Sequence, residues 1–197
     1  MMDRTTRPLV IVAAFAGSLL VGLVLMLWAF GGMKNVASAA AIGGPFQLTD
    51  QAGQTVTEKN LQGHPTLIFF GFTHCPDVCP TSLFEISEVL RAMGADADRV
   101  NAYFISVDPD RDTPAAMKDY LSSFDPHLKG LTGNPDQVAK AISAYRVYAR
   151  KVPLKDGDYT MDHTALVYLM DRHGQFVSPF NLKRTPEEAA HDLEHYL

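Results

Sequence analysis

Residues 66–80, TLIFFGFTHCPDVCP, contain an apolar run that leads directly into two cysteines, and this unit is the strongest indication of the fold class. Thr66 to Phe72 is almost continuously apolar and rich in β-branched and aromatic side chains, which is typical of a strand buried on both faces. From Pro80 to Met93 apolar residues recur at helical spacing, and Gly94 is a suitable helix terminator. The pattern predicts a buried strand, a short turn that carries the cysteines, and a helix.

The sequence on both sides of this unit alternates between strand and helix patterns. Residues 151–162 are largely polar, so we predict a loop there. Strands that alternate with helices pack as an α/β sandwich, in which ligands bind at the carboxyl ends of strands. This order of elements resembles a thioredoxin-like fold. The further predicted elements are a hairpin over 46–56, a buried strand over 100–107, helices from 114, 135 and 186, and a strand over 164–170 with a short partner at 175–177.

The N-terminal segment has the composition of a membrane anchor. No charged residue occurs from Pro8 to Met33, a stretch longer than the roughly 20 residues that span a bilayer as a helix. Arg4 and Arg7 precede it, so the positive-inside rule predicts a cytoplasmic N-terminus. We therefore predict a single-pass protein of the cytoplasmic membrane with its C-terminal domain in the periplasm. Its predicted parts are a cytoplasmic N-terminus (1–7), an anchor (8–33), a linker of small residues (34–45) and an exported domain (46–197).

A cleaved signal peptide is the alternative for this segment. Ala37-Ser38-Ala39 looks like a small-residue cleavage site. The apolar stretch is longer than the core of about 7–15 residues that signal peptides have, which favours an uncleaved anchor. Both alternatives export the rest of the chain.

The charge of the chain restricts its partners. The formal net charge is −5, of which residues 1–34 contribute +2 and the remaining residues −7. An acidic exported domain argues against nucleic acid as a partner and against docking on anionic lipid.

Cys75 and Cys79 are the only cysteines of the chain. A disulfide between them would close a very short loop and add little stability through loop-closure entropy, so redox chemistry or metal binding explains the pair better. A helix N-terminus favours the thiolate, which is the reactive and metal-binding form. Redox thioredoxins have two residues between their cysteines, whereas this chain has three. The wider spacing suits a metal shared by two sulfurs and does not forbid a disulfide.

His163 directly precedes the strand predicted over 164–170. By resemblance to thioredoxins, this is where a cis-proline faces the cysteines, so an imidazole here can reach the same point. Two thiolates and one imidazole suit Cu(I) through sulfur and Cu(II) through the added nitrogen, and zinc would also accept them. The neighbouring Asp162 either orients the imidazole as a hydrogen-bond acceptor or caps the loop.

Several residues near these three have alternative roles. Asp77, between the cysteines, either influences metal access or satisfies amide groups at the helix start. We expect His74 not to bind metal, because adjacent side chains of an extended chain point apart. Met161 is an alternative soft ligand, although methionine more often packs in cores. Asp110 and Asp112 are predicted to be surface contacts.

Three motifs together resemble the Sco/SenC family: THCPDVCP at 73–80, VDPDRDTP at 107–114 and DHT at 162–164. The resemblance extends from about Gly44 to the C-terminus. It implies a copper protein that helps to assemble the binuclear CuA centre of cytochrome c oxidase subunit II. It also implies that Cys75, Cys79 and His163 hold the copper as Cu(I), Cu(II) or both.

Other functions and partners stay open beside the copper chaperone. The Cys75–Cys79 pair could instead serve a thiol–disulfide oxidoreductase that reduces the cysteines of the oxidase copper site. Peroxide reduction is the weakest alternative, because the sequence lacks a recognisable catalytic setting for it. Since oxidation outside the cytoplasm would close the pair, we expect an exported thioredoxin-like reductase as a partner, and an upstream copper donor besides subunit II.

Overall fold

The computed structural model describes residues 15, 17–26, 42–155 and 157–197. Of the predicted anchor, only residues 15 and 17–26 are described, and they are helical. The cytoplasmic N-terminus, the rest of the anchor and most of the linker lie outside the described residues. Within the described ranges, no helix combines the length and the apolar character that a membrane span requires. Residues Ala41–Leu197 form one compact unit.

A seven-stranded mixed sheet forms the centre of this unit. Its strands are β1 (Gln47–Asp50), β2 (Thr55–Thr57), β3 (Thr66–Gly71), β4 (Asn101–Ser106), β5 (Leu128–Thr132), β8 (Val167–Met170) and β9 (Phe176–Pro179). They lie in the order β2-β1-β5-β4-β3-β8-β9. The three central strands β5, β4 and β3 are parallel, and β1 and β8 flank them antiparallel. All six residues of β3 are buried, as the apolar run predicts.

Four helices pack with the sheet: α1 (Val78–Met93), α2 (Pro114–Leu121), α3 (Pro135–Ala144) and α4 (Pro186–Glu194). The predicted starts at 114, 135 and 186 are confirmed. In each case a Thr or Asn side chain accepts a hydrogen bond from a first-turn amide, and a proline occupies the first turn. Helix α1 begins at Val78, two residues before the start predicted at Pro80. This is possible because a proline is tolerated within the first turn of a helix. Cys79 therefore lies on the helix itself.

Two parts of the secondary structure differ from the prediction. Strand β5 was not expected, because Lys129 and Gly130 interrupt its apolar pattern. The prediction of a loop over 151–162 is wrong, since β6 (Ala149–Pro153) and β7 (Tyr159–His163) form an antiparallel hairpin there. Most of its side chains are exposed or half-buried, so no hydrophobic periodicity marks it in the sequence.

The register of the central strands positions the candidate site. Strands β3 and β4 pair in parallel from Thr66 opposite Asn101 to Gly71 opposite Ser106. Their carboxyl ends therefore meet at one edge of the sheet. The cysteine segment leaves β3 at this edge, and residues 107–113 leave β4 beside it.

Candidate metal centre

The structure brings Cys75, Cys79 and His163 together, as the sequence predicts. One donor atom from each residue lies within 4.8 Å of the other two, and no other described residues form such a group of three His, Cys, Asp or Glu side chains. The Sγ atom of Cys79 is 3.6 Å from Nε2 of His163. Metal–thiolate and metal–imidazole bonds of about 2.3 and 2.0 Å, at trigonal or tetrahedral angles, separate sulfur and nitrogen by about 3.5–3.7 Å. The separation of Cys79 Sγ and His163 Nε2 is therefore the one expected for two donors on a shared metal ion.

The two cysteines are free thiols in different environments. Cys79 is fully buried, whereas Cys75 is half-buried. The backbone N–H of Cys79 donates to Sγ of Cys75 at 3.4 Å, so a first-turn amide of α1 points at that sulfur. Burial, reinforced by the neighbouring Cys75, raises the pKa of the Cys79 thiol far above its usual value. A bound metal cation would favour the thiolate, so metal binding here releases a proton.

His163 is the last residue of β7, and its ring is held in one orientation. Its Nδ1 lies 3.1 Å from the carbonyl oxygen of Thr164, a distance that suits an Nδ1–H donor and leaves the Nε2 lone pair facing Cys79. Burial lowers the pKa of His163, which favours the neutral ring that metals bind. The ring of Phe72 packs edge-on against the imidazole, with centroids 5.7 Å apart at 89°.

The sequence allows two roles for Asp162, orienting the imidazole or capping the loop. In the structure the acceptor for His163 is the Thr164 carbonyl, while the exposed carboxylate of Asp162 lies 3.9 Å from Arg150 on the paired strand. Asp77 is the N-cap residue of α1, but its side chain makes no capping hydrogen bond. Its carbonyl oxygen instead accepts from the Thr81 hydroxyl at 3.0 Å.

Two further side chains near the site make other contacts. His74 is exposed, and its Nδ1 lies 3.0 Å from Oγ1 of Thr73. Met161 packs against the hydrophobic core. That His74 does not bind metal stays a prediction.

The prediction that Asp112 is a surface residue is wrong, because its side chain is fully buried. Its Oδ1 accepts from the Thr73 hydroxyl at 2.6 Å and its Oδ2 from the Ser106 hydroxyl at 2.6 Å, while the Thr73 amide lies 3.2 Å from both oxygens. Burial raises the pKa of Asp112, and these hydrogen bonds oppose that shift. The carboxylate thereby ties the chain two residues before Cys75 to the end of β4. Asp110, in contrast, is exposed as predicted.

Gly71 at the end of β3 lets the buried sulfur approach the sheet. A Cβ atom at this position would lie 2.7 Å from Sγ of Cys79 and 2.7 Å from Cε2 of Phe104. Both distances are shorter than real contacts allow, so a residue without a side chain is required here.

Comparison with known proteins finds relatives along most of the chain. A family model described as SCO1/SenC matches residues 34–197. Protein SCO1 homolog 1, mitochondrial, of Arabidopsis thaliana is 46% identical over 145 residues, which cover 72% of this chain and 42% of that protein. This chain thus spans less than half the length of that relative.

Solved structures show the same architecture. ScoI of Bradyrhizobium japonicum, whose structure has copper bound, is 80% identical, with a TM-score of 0.79 over 80% of this chain and 100% of that one. BsSco, described as a member of the Sco family of cytochrome c oxidase assembly proteins, is 22% identical, with a TM-score of 0.61 over 79% of this chain and 93% of that one. The latter likeness shows the fold alone. Together they confirm the predicted α/β, thioredoxin-like fold of the C-terminal domain.

Proposed function

Because the chain belongs to the SCO1/SenC family, we propose that it binds one copper ion between Cys75, Cys79 and His163 and delivers it to the CuA centre of cytochrome c oxidase subunit II. The observation that carries this proposal is the cluster of three donor atoms within 4.8 Å of one another. The copper-bound structure of the Bradyrhizobium relative supports copper over zinc as the metal.

The chemistry of the donors suits a copper ion that is carried as cargo. Two thiolates hold Cu(I) well, and the imidazole adds the nitrogen that Cu(II) prefers. Three donor atoms from the chain leave a coordination position for a donor atom of the recipient. An assembly protein needs such an open position, because the recipient must bind copper before the carrier releases it.

The proposed location follows from the N-terminal composition. We place residues 1–7 in the cytoplasm, residues 8–33 in the cytoplasmic membrane, and the linker 34–45 and the domain 46–197 in the periplasm. In that oxidising compartment the two thiols need an exported thioredoxin-like reductase to stay reduced.

A protease added to intact spheroplasts should remove the domain and leave a membrane-bound N-terminal fragment. A domain released without protease would show that the N-terminal segment is cleaved.

A thiol–disulfide oxidoreductase is the second candidate function. The observation that favours it is that Cys75 and Cys79 are free and adjacent, with the Cys79 amide donating to Sγ of Cys75. In this function the chain reduces a disulfide between the copper-site cysteines of subunit II and is itself oxidised to the Cys75–Cys79 disulfide. Two electrons and two protons pass to the substrate, and His163 takes no part.

Copper titration of the purified, reduced full-length chain separates the two functions. We expect saturation near one equivalent, and loss of tight binding in Cys75→Ser and Cys79→Ser. Wild-type copper affinity in both serine variants would refute the proposed site. Copper-independent reduction of a disulfide substrate that is lost in Cys79→Ser but kept in His163→Ala would support the oxidoreductase.

A further inference from the structure

The hairpin that supplies His163 stands apart from the main sheet. Strands β6 and β7 pair only with each other, and among the described residues neither joins the seven-stranded sheet. Backbone pairing therefore fixes the shape of the hairpin but not its position on the domain. Side-chain contacts must set the distance from His163 to the two sulfurs.

At the His163 end, the Phe69 and Phe72 rings pack edge-on against the imidazole. At the other end of β7, the contacts come from the loop that follows β4. The guanidinium of Arg111 donates from Nη1 to the carbonyl oxygen of Tyr159 at 3.0 Å and lies 3.8 Å from the centre of the Tyr159 ring. Asp108, fully buried, accepts from Nε of Arg111 at 2.5 Å and from the Tyr159 hydroxyl at 2.8 Å. Asp108 and Arg111 thus hold Tyr159, the first residue of β7, against the domain. We refer to Asp108, Arg111 and Tyr159 as the hairpin clamp.

The hairpin clamp holds one end of β7, and His163 is the residue at the other end of this strand. Tyr159 and His163 are four residues apart on β7 and so lie on the same face, about 13 Å from each other. A shift at the clamped end therefore moves the other end of the strand as well.

The same loop also fixes the segment that carries the cysteines. Asp112, next to Arg111 in the chain, binds the amide and hydroxyl of Thr73. The Arg111 guanidinium lies 5.8 Å from the centre of the Phe72 ring, and that ring also packs edge-on against His163. Residues 108–112 thus hold both ligand-bearing segments from one side, and Arg111 lies at the point where the two meet.

We infer that Arg111, held by Asp108, is a positioning residue that sets how closely His163 approaches the two sulfurs. This inference rests on the proposed copper function. It has a specific chemical consequence, because two thiolates can hold Cu(I) even when the imidazole is displaced, whereas Cu(II) binding depends more strongly on the imidazole nitrogen. Loss of the hairpin clamp therefore weakens Cu(II) binding selectively, and the arginine tunes which oxidation state the site prefers.

The test compares both oxidation states in the reduced full-length chain. We expect Arg111→Met to weaken Cu(II) binding by about 10- to 100-fold, the range found when groups that orient metal ligands are removed. Cu(I) affinity stays within about threefold of wild type, because both sulfurs remain in place. The Cu(II) absorption and electron paramagnetic resonance spectra shift toward those of His163→Ala. Free thiols are counted after each titration, so that oxidation is not taken for lost affinity.

Two more variants keep the test decisive. Tyr159→Phe removes only the hydroxyl bond to Asp108, and we expect it to weaken Cu(II) binding in the same direction by a smaller factor. This variant provides the test if Arg111→Met does not fold. Arg150→Met is the matched control, because it removes an exposed arginine of the same hairpin outside the clamp, and it binds both ions as wild type does. A parallel loss of Cu(I) and Cu(II) affinity, or no loss of either, overturns the inference.

His163→Ala separates this inference from the proposed function. If His163→Ala fails to weaken Cu(II) binding, the proposed ligand set is wrong and the inference falls with it. If His163→Ala weakens Cu(II) binding and the Arg111 and Tyr159 variants do not, the ligand set stands and only the positioning role is refuted.

Discussion

The Sγ atom of Cys79 lies 3.6 Å from Nε2 of His163, although the two residues are 84 positions apart in the chain. Helix α1 carries the sulfur and strand β7 carries the imidazole. Asp112 ties Thr73, in the segment that precedes α1, to the end of β4, and Asp108 and Arg111 hold Tyr159 at the start of β7. In the proposed copper function, such a preformed arrangement would reduce the conformational entropy lost when the ion binds.

Replacement of His163 tests the third ligand directly. We expect His163→Ala to bind Cu(II) at least about tenfold more weakly, because the two sulfurs alone lack the nitrogen donor that Cu(II) prefers. Competition titration with a coloured chelator measures the change. His74→Ala is the control, since this exposed histidine is adjacent to Cys75 but lies outside the cluster. Equal losses in the two variants would contradict the assignment of the ligand.

Gly71→Ala tests the close packing of the buried sulfur. The new methyl group would overlap Sγ of Cys79 and the Phe104 ring, so we expect a loss of about 1–3 kcal/mol in unfolding free energy together with weaker copper binding. Gly130→Ala serves as the control. Its Cβ would lie 2.8 Å from Leu121 and 2.9 Å from the end of Met117, away from the site. Urea unfolding and copper titration should show that the control lowers stability alone.

Asp112→Asn tests the buried carboxylate behind the cysteine segment. An amide offers one acceptor oxygen where three donors converge, so we expect the free energy of unfolding to fall by about 1–3 kcal/mol. Copper affinity should fall as well, because Thr73 leads into Cys75. In the control Asp110→Asn, only an exposed pair with Lys151 is lost, and the change should stay below about 1 kcal/mol. Similar unfolding midpoints for the two variants would refute the structural role of Asp112.

The hydrogen bonds of His127, a residue outside the metal centre, predict that the free energy of unfolding depends on pH. Its Nδ1 lies 2.7 Å from Asp125 and its Nε2 3.0 Å from Asp98, and hydrogen bonds to these carboxylates raise the pKa of His127 above its usual value near 6.5. A raised folded-state pKa stabilises the fold fully below the unfolded pKa, and this contribution is lost as pH rises through the folded pKa. Because the ring is about one-third exposed, we expect a loss of under about 1 kcal/mol.

Urea unfolding at several pH values between about 5.5 and 8.5 measures this effect. His127→Asn should flatten the decline in stability over that window. The exposed His173→Asn should keep the wild-type profile. A decline of equal slope in His127→Asn and wild type would show that the two carboxylates do not stabilise the charged ring.

Local patterns were sufficient to predict the parts of the fold that local physics determines. The apolar run of β3, the helix starts at Thr113 and Thr185, and the position of the cysteines at a helix entrance each depend on neighbours within a few residues. The approach of His163 to the cysteines was predicted from the resemblance to thioredoxins. It is geometrically possible because β8, which follows His163, runs antiparallel to β3 and begins where β3 ends.

The remaining features depend on partners that are distant in the chain. The β6–β7 hairpin is held by Asp108 and Arg111 and by a few half-buried side chains such as Met161. Its sequence has no apolar periodicity, so the sequence predicts a loop. The sequence predicts a surface position for Asp112 because its hydrogen-bond partners Thr73 and Ser106 belong to two other segments of the chain. A charged residue can be buried only when such partners are present, and composition alone does not reveal them.

The two sulfurs of the site differ in their access to solvent, since Cys79 is fully buried and Cys75 is half-buried. In the proposed copper function, a thiolate of a recipient protein or of a copper source would therefore meet the Cys75 side of the ion first. The bond to Cys75 would be exchanged before the bond to Cys79. The depth of a single side chain would thus set the order in which the bonds to the metal are exchanged.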